Sequence, residues 1–117
     1  MHDSVPHIMI ADDDSDLRAI LVDFLAHCGY EVWAAHDGQE ALVVAQSHTL
    51  DIALIDVVMP ELSGVELIPR LQTLWPQITI ILLTAYGTIS QAVEAIRLGA
   101  FDYLEKPVLI KQIQACP

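Results

Sequence analysis

Short apolar runs alternate with segments whose apolar residues recur every three or four positions, and the alternation continues along the whole chain. The first run, His7-Ile8-Met9-Ile10-Ala11, stops at three consecutive aspartates, Asp12-Asp13-Asp14. Leu17, Ile20, Leu21, Phe24, Leu25 and Cys28 then fall on one helical face, and Gly29 stands where helices commonly end. Glu31 to Ala35 reads as a second strand, and Asp37 is placed to cap a helix from Gly38 to about Ser47. A third strand, Ile52-Ala53-Leu54-Ile55, runs into Asp56. Ser63 and Glu66 have capping-box spacing before Leu67, Ile68, Leu71 and Leu74, with Pro69 expected to kink that helix or loosen its first turns. Trp75-Pro76 ends the segment. Ile78 to Leu83 is a fourth strand leading to Thr84, and Ile89, Ala92, Val93 and Ile96 share one side of a fourth helix that Gly99 closes. A fifth strand, about Phe101 to Leu104, reaches Lys106-Pro107, and Val108 to Ala115 reads as a last helix cut short by the chain end.

Strands that alternate with helices imply a parallel sheet covered on both faces, and near-continuous Ile, Leu and Val runs are what such double burial demands. The expected fold is α/β: a doubly wound five-stranded parallel sheet of order 2-1-3-4-5, in a flavodoxin-like three-layer αβα sandwich. With 117 residues, one domain over 1–117 accounts for the chain.

Charge narrows the ligands. Sixteen acidic residues against 5 Lys plus Arg leave a net charge of −11, which disfavours direct contact with nucleic acid or an anionic membrane and favours a cation or a basic partner. No apolar run is long enough for a membrane span, and the N-terminus lacks the pattern of a signal peptide. Cys28 and Cys116 have no metal-ligand spacing and are expected to be reduced, with Cys28 in the core. The five histidines, His2, His7, His27, His36 and His48, also lack ligand spacing. A cytoplasmic location is expected.

In an open doubly wound sheet, ligands bind beyond the carboxyl ends of the strands, where the strand order reverses. Four strands end at or beside a reactive polar residue: Asp12 and Asp13, Asp56, Thr84, and Lys106. In the order 2-1-3-4-5, Asp12, Asp13 and Asp56 converge on one pocket, and Thr84 and Lys106 close it. Crowded carboxylates repel, and a hard divalent cation such as Mg²⁺ or Mn²⁺ relieves them. Such a site suits transfer of a phosphoryl group to a carboxylate. Asp56 serves as nucleophile, Lys106 offsets charge, and the Thr84 hydroxyl donates to the product.

The stretches Ile10-Ala11-Asp12-Asp13-Asp14, Ile55-Asp56-Val57-Val58-Met59-Pro60, Leu83-Thr84-Ala85 and Phe101-Asp102-Tyr103-Leu104-Glu105-Lys106-Pro107, in that order and spacing, resemble response-regulator receiver domains. Gly99 to Pro107 is most similar to receivers of nitrogen-regulation-type transcriptional activators. The resemblance implies that Asp13 ligates the metal directly, Asp12 acts through water, and Asp56 is both phosphoacceptor and ligand. It further implies a metal contact from the Val58 backbone carbonyl, phosphate sensing by Thr84 and Lys106, an aromatic switch at Tyr103 and a cis bond at Lys106-Pro107. The implied phosphodonor is a phosphohistidine on a sensor histidine kinase or phosphotransfer protein. The implied signalling face is built by the fourth helix, fifth strand and fifth helix. An output domain is expected in the same parent chain, and exposed apolar surface would promote a phosphorylation-dependent homodimer. Val58 and Tyr86, two residues past Asp56 and Thr84, would flank a hydrolysing water and slow dephosphorylation.

Rival readings exist. Asp14 alone is best explained as a helix cap. The Asp12-x-Asp14-x-Asp16 spacing hints at an EF-hand, but Leu17 stands where glycine is required and Asp23 where glutamate is usual. A haloacid-dehalogenase-like phosphatase would place its nucleophile in the Asp12 to Asp14 stretch and needs a larger domain. A flavin-binding module would need a Ser/Thr/Gly-rich phosphate loop after the first strand, where three aspartates stand instead. A receiver that works only by binding would have no use for the intact acceptor set.

Overall fold

The computed structural model describes residues 5–57, 59, 62, 64–84, 93, 96, 97, 99, 100 and 102–105. Its elements are β1 (His7–Ala11), α1 (Ser15–His27), β2 (Glu31–Ala35), α2 (Gly38–Ser47), β3 (Ile52–Asp56), α3 (Gly64–Leu74), β4 (Thr79–Thr84) and β5 (Asp102–Glu105). The strands form one sheet in the order β2-β1-β3-β4-β5, and every pairing is parallel. The α/β class and the parallel sheet follow the sequence pattern. Most of the expected fourth helix and all of the last one lie outside the described residues, as do Ser63 of the proposed capping box and the Lys106-Pro107 bond.

Side chains alternate across a strand, so each strand feeds both faces of the sheet. Met9, Ala11, Ala53, Ile55, Ile80 and Leu82 pack with Ala41 and Ala45 of α2 and with Leu67, Ile68 and Leu71 of α3. Ile8, Ile10, Leu54 and Leu83 pack with Leu21 and Leu25 of α1. Helices therefore cover the sheet from both sides, which is why β1 and β3 are buried almost end to end.

Local chemistry sets the helix ends. Asp14 caps α1, so the helix starts at Ser15, before its apolar stripe begins. Gly29 follows with φ of 100°, a left-handed conformation natural to glycine, and Tyr30 N–H closes the turn on the Leu25 carbonyl at 3.2 Å. Pro69 stands inside α3, which continues through it to Leu74. Gly38 starts α2 directly against the backbone and Cβ of Leu62, where any added Cβ would collide. Cys28 is the half-buried C-cap of α1 rather than a core residue, and Cys116 lies outside the described residues. Among the described residues, no helix is long and apolar enough to cross a membrane.

Candidate functional site

The site is built where β1 and β3 end side by side. Their register pairs Ala11 with Ile55, so the next residues, Asp12 and Asp56, stand at the same height on neighbouring strands. Asp12 extends the ladder by donating its N–H to the Ala35 carbonyl at 3.1 Å, and it is fully buried. Asp56 is the last residue of β3 and is 6% exposed. Asp12 and Asp56 are the only buried charged groups among the described residues, and they are neighbours. Burial of two acids at one strand edge is costly without an opposite charge, so their position demands a function or a compensating ion.

Asp13 joins them from the exposed side. One carboxylate oxygen from each of Asp12, Asp13 and Asp56 lies within 4.8 Å of the other two. Three hard anionic oxygens at that spacing fit a small divalent cation of the Mg²⁺ or Mn²⁺ kind, and no nitrogen or sulfur donor among the described residues joins the cluster to favour a softer metal.

The third aspartate of the run does different work. The Asp14 carboxylate accepts from the backbone N–H of Asp16 at 3.0 Å and of Leu17 at 3.1 Å, which is the cap of α1. Its own N–H donates to Oδ1 of Asp12 at 2.9 Å. The Arg18 guanidinium donates to the Asp12 carbonyl oxygen at 2.6 Å. Arg18 escapes a sequence reading because it stands six residues from Asp12, a spacing with no local rule behind it.

Of the other expected site residues, Thr84 ends β4 in register with Glu105, which puts it at the same edge of the sheet. Tyr103 lies within β5, in register with Leu82. Lys106, Val58 and Tyr86 lie outside the described residues.

A second polar cluster follows β2. Asp37 accepts from the Glu40 N–H at 2.8 Å and so caps α2, while Glu40 reaches past the cap to accept from the N–H of His36 at 2.7 Å. The His36 ring approaches Glu40 at 2.6 Å and Asp37 at 3.1 Å. The backbone N–H of His36, and then its ring, hold the Glu40 carboxyl below the usual glutamate range. The Asp37-x-x-Glu40 spacing is the sequence signal for the Asp37 cap.

A family model described as the response regulator receiver domain matches residues 8–116. The transcriptional regulatory protein ZraR of Escherichia coli K12 is 37% identical over 114 residues, which is 97% of this chain and 26% of that protein. The DNA-binding transcriptional regulator NtrC of Azospirillum brasilense is 36% identical over 110 residues, 94% of this chain and 23% of that protein. The chain thus spans about a quarter of the length of these curated relatives. A response regulator protein of Burkholderia pseudomallei, solved with a phosphorylated aspartic acid, a calcium ion and citrate, superposes with a TM-score of 0.86 at 33% identity, over 95% of this chain and 65% of that one. With the aspartates at the ends of β1 and β3 and this match over residues 8–116, the chain belongs to the response regulator receiver domain family.

Proposed function

We propose that this domain accepts a phosphoryl group on Asp56 from the phosphohistidine of a sensor histidine kinase or phosphotransfer protein, and that the modification switches an output. The observation that carries the reading is the convergence of Asp12, Asp13 and Asp56, two of them buried, with oxygens within 4.8 Å of one another. Asp12, Asp13, Asp56 and the Val58 backbone carbonyl would hold Mg²⁺ or Mn²⁺, Asp12 by way of water. When bound, the cation supplies charge that offsets the negative charge gathering on the phosphoryl oxygens.

The chain's own residues do the remainder. A carboxylate oxygen of Asp56 forms a bond to phosphorus as the bond from phosphorus to the donor imidazole nitrogen breaks; that nitrogen keeps the electron pair, and the ring, already protonated on its other nitrogen, leaves as neutral imidazole. Lys106 brings its ammonium to the phosphoryl oxygens, and the Thr84 hydroxyl donates to one of them. The acyl phosphate carries about two negative charges where the carboxylate carried one. Its pull on Thr84 and Lys106 biases a two-state equilibrium in which Tyr103 turns inward. The face made by the fourth helix, fifth strand and fifth helix of the full three-layer αβα sandwich then changes. Val58 and Tyr86 shield the acyl phosphate from water.

In this reading residues 1–117 are one receiver unit of a cytoplasmic transcriptional regulator, with the output domain in the same parent chain. The unit touches neither nucleic acid nor membrane, dimerises on phosphorylation, and acts on no substrate beyond its own aspartate. ZraR and NtrC, as regulators about four times longer than the matched segment, support that placement.

Beryllofluoride with Mg²⁺ mimics an acyl phosphate and tests the assignment. Wild type should show amide chemical-shift changes around Asp56 and a change in Trp33 or Trp75 fluorescence, and Asp56→Asn should show neither. An equal response in the variant contradicts Asp56 as acceptor.

A further inference from the structure

The loop between β1 and α1 is tied to itself at both ends of the acid run. Asp14 N–H holds the Asp12 carboxylate at 2.9 Å, and the Asp14 side chain caps α1. The Arg18 N–H donates to the Asp14 carbonyl at 2.9 Å as the helix begins. The Arg18 guanidinium then reaches back to the Asp12 carbonyl at 2.6 Å.

That carbonyl belongs to the planar peptide unit joining Asp12 to Asp13, so holding it restricts rotation on both sides at once. The Cα atoms that carry the Asp12 and Asp13 side chains are the two ends of that unit. We propose that Arg18 is a positioning residue: by holding the Asp12 carbonyl it fixes the Asp12–Asp13 peptide plane, and so sets where both carboxylates stand relative to Asp56. The cation-binding function of those carboxylates rests on the reading above; the tether itself does not.

A charge effect is the competing explanation, and it has the opposite sign. A guanidinium near the cluster repels an incoming cation, so its removal would tighten metal binding. Arg18 is not arranged for that role. Among the described residues its guanidinium is bonded through Nη1 to a main-chain oxygen and forms no ion pair, and a planar guanidinium held on a carbonyl is a stiffer brace than a flexible ammonium. Loss of such a support to metal ligands typically weakens affinity about 10–100-fold.

Arg18→Met removes both charge and brace, and Arg18→Lys keeps the charge without the planar guanidinium. In metal-free protein, NMR should show the Asp14 amide exchanging at least about tenfold faster in Arg18→Met, with central β1 amides unchanged. Mg²⁺ titration followed by amide shifts should give about tenfold weaker binding or worse in Arg18→Met. Arg18→Lys should recover only part of each loss. The proposal is overturned if Asp14 exchange is unaltered in Arg18→Met, or if that variant binds Mg²⁺ as well as or better than wild type. Full wild-type behaviour of Arg18→Lys overturns it too, and that variant decides the matter if Arg18→Met does not fold. Wild type that binds no Mg²⁺ would defeat the metal reading, while the metal-free exchange still decides the tether.

Discussion

Neutralising the phosphoacceptor should stabilise the metal-free protein. Asp56 stands in two of the three carboxylate pairs of the cluster, whose nearest oxygens lie within 4.8 Å of each other. At an effective dielectric constant near 20, two unit charges at that distance repel by about 3.5 kcal/mol. The buried Asp12–Asp56 pair carries most of this, because Asp13 is exposed and solvent screens its share. Asp12 and Asp56 each make a further interaction as well, so the bare Coulomb figure is not the net effect. The asparagine amide of Asp56→Asn also donates to carboxylate oxygens that previously repelled position 56. The net gain is about 1–2 kcal/mol, or a Tm rise of about 4–10 °C for a domain of this size. Thermal unfolding by circular dichroism in chelator reads it directly. Added Mg²⁺ should reverse the order, since a ligand at about 100 times its Kd stabilises wild type by about 2.7 kcal/mol and the variant lacks one donor. An Asp56→Asn protein less stable than wild type in chelator would refute the crowding argument.

Other consequences are as direct. Val58→Asn should shorten the lifetime of the acyl phosphate by admitting and orienting water, and an unchanged lifetime counts against the shielding role of Val58. Glu40 is held below its ordinary value of 4.5 by the His36 N–H and ring, so its contribution to stability is present above pH 4.5 and lost as pH falls through its lower folded value. The Tm gap between wild type and Glu40→Gln should therefore be open at pH 7 and closed in acid; a gap that ignores pH contradicts this. Trp75 Nε1 donates to the Ala45 carbonyl at 2.8 Å and ties the end of α3 to α2. Trp75→Phe should lower stability by about 1 kcal/mol, read as a drop in Tm, and an unchanged Tm would mean the bond contributes nothing.

The strands were readable because burial on both faces leaves no polar alternation to interpret, so β1 and β3 appear as plain apolar runs ending in acids. Edges slipped by one residue: the fourth strand, expected over 78–83, runs from Thr79 to Thr84, and the fifth, expected near 101–104, runs from Asp102 to Glu105. Apolar runs do not mark which residue makes the last ladder bond, and the register with the neighbouring strand decides it. Asp14 and Asp37 were legible as caps because capping is a rule about neighbours in sequence. The convergence of Asp12 and Asp56 was legible only through topology, since it needs strands one and three to be adjacent. Contacts made by tertiary approach left no trace in the spacing. Arg18 at the Asp12 carbonyl is one, and the stacking of Trp33 on His48 at 4.4 Å and beside His7 at 5.3 Å is another. Histidines without ligand spacing thus still find partners once the chain folds.

Phosphate mapping reaches the central claim most directly. The protein is incubated with a small phosphodonor such as acetyl phosphate, with and without Mg²⁺, and analysed by intact mass and by peptide mass spectrometry after borohydride trapping. One phosphoryl group per chain, dependent on Mg²⁺, located on Asp56 and missing from Asp56→Asn, is the predicted outcome. Label on Asp12 or Asp14, or label that survives in Asp56→Asn with undiminished yield, would contradict it.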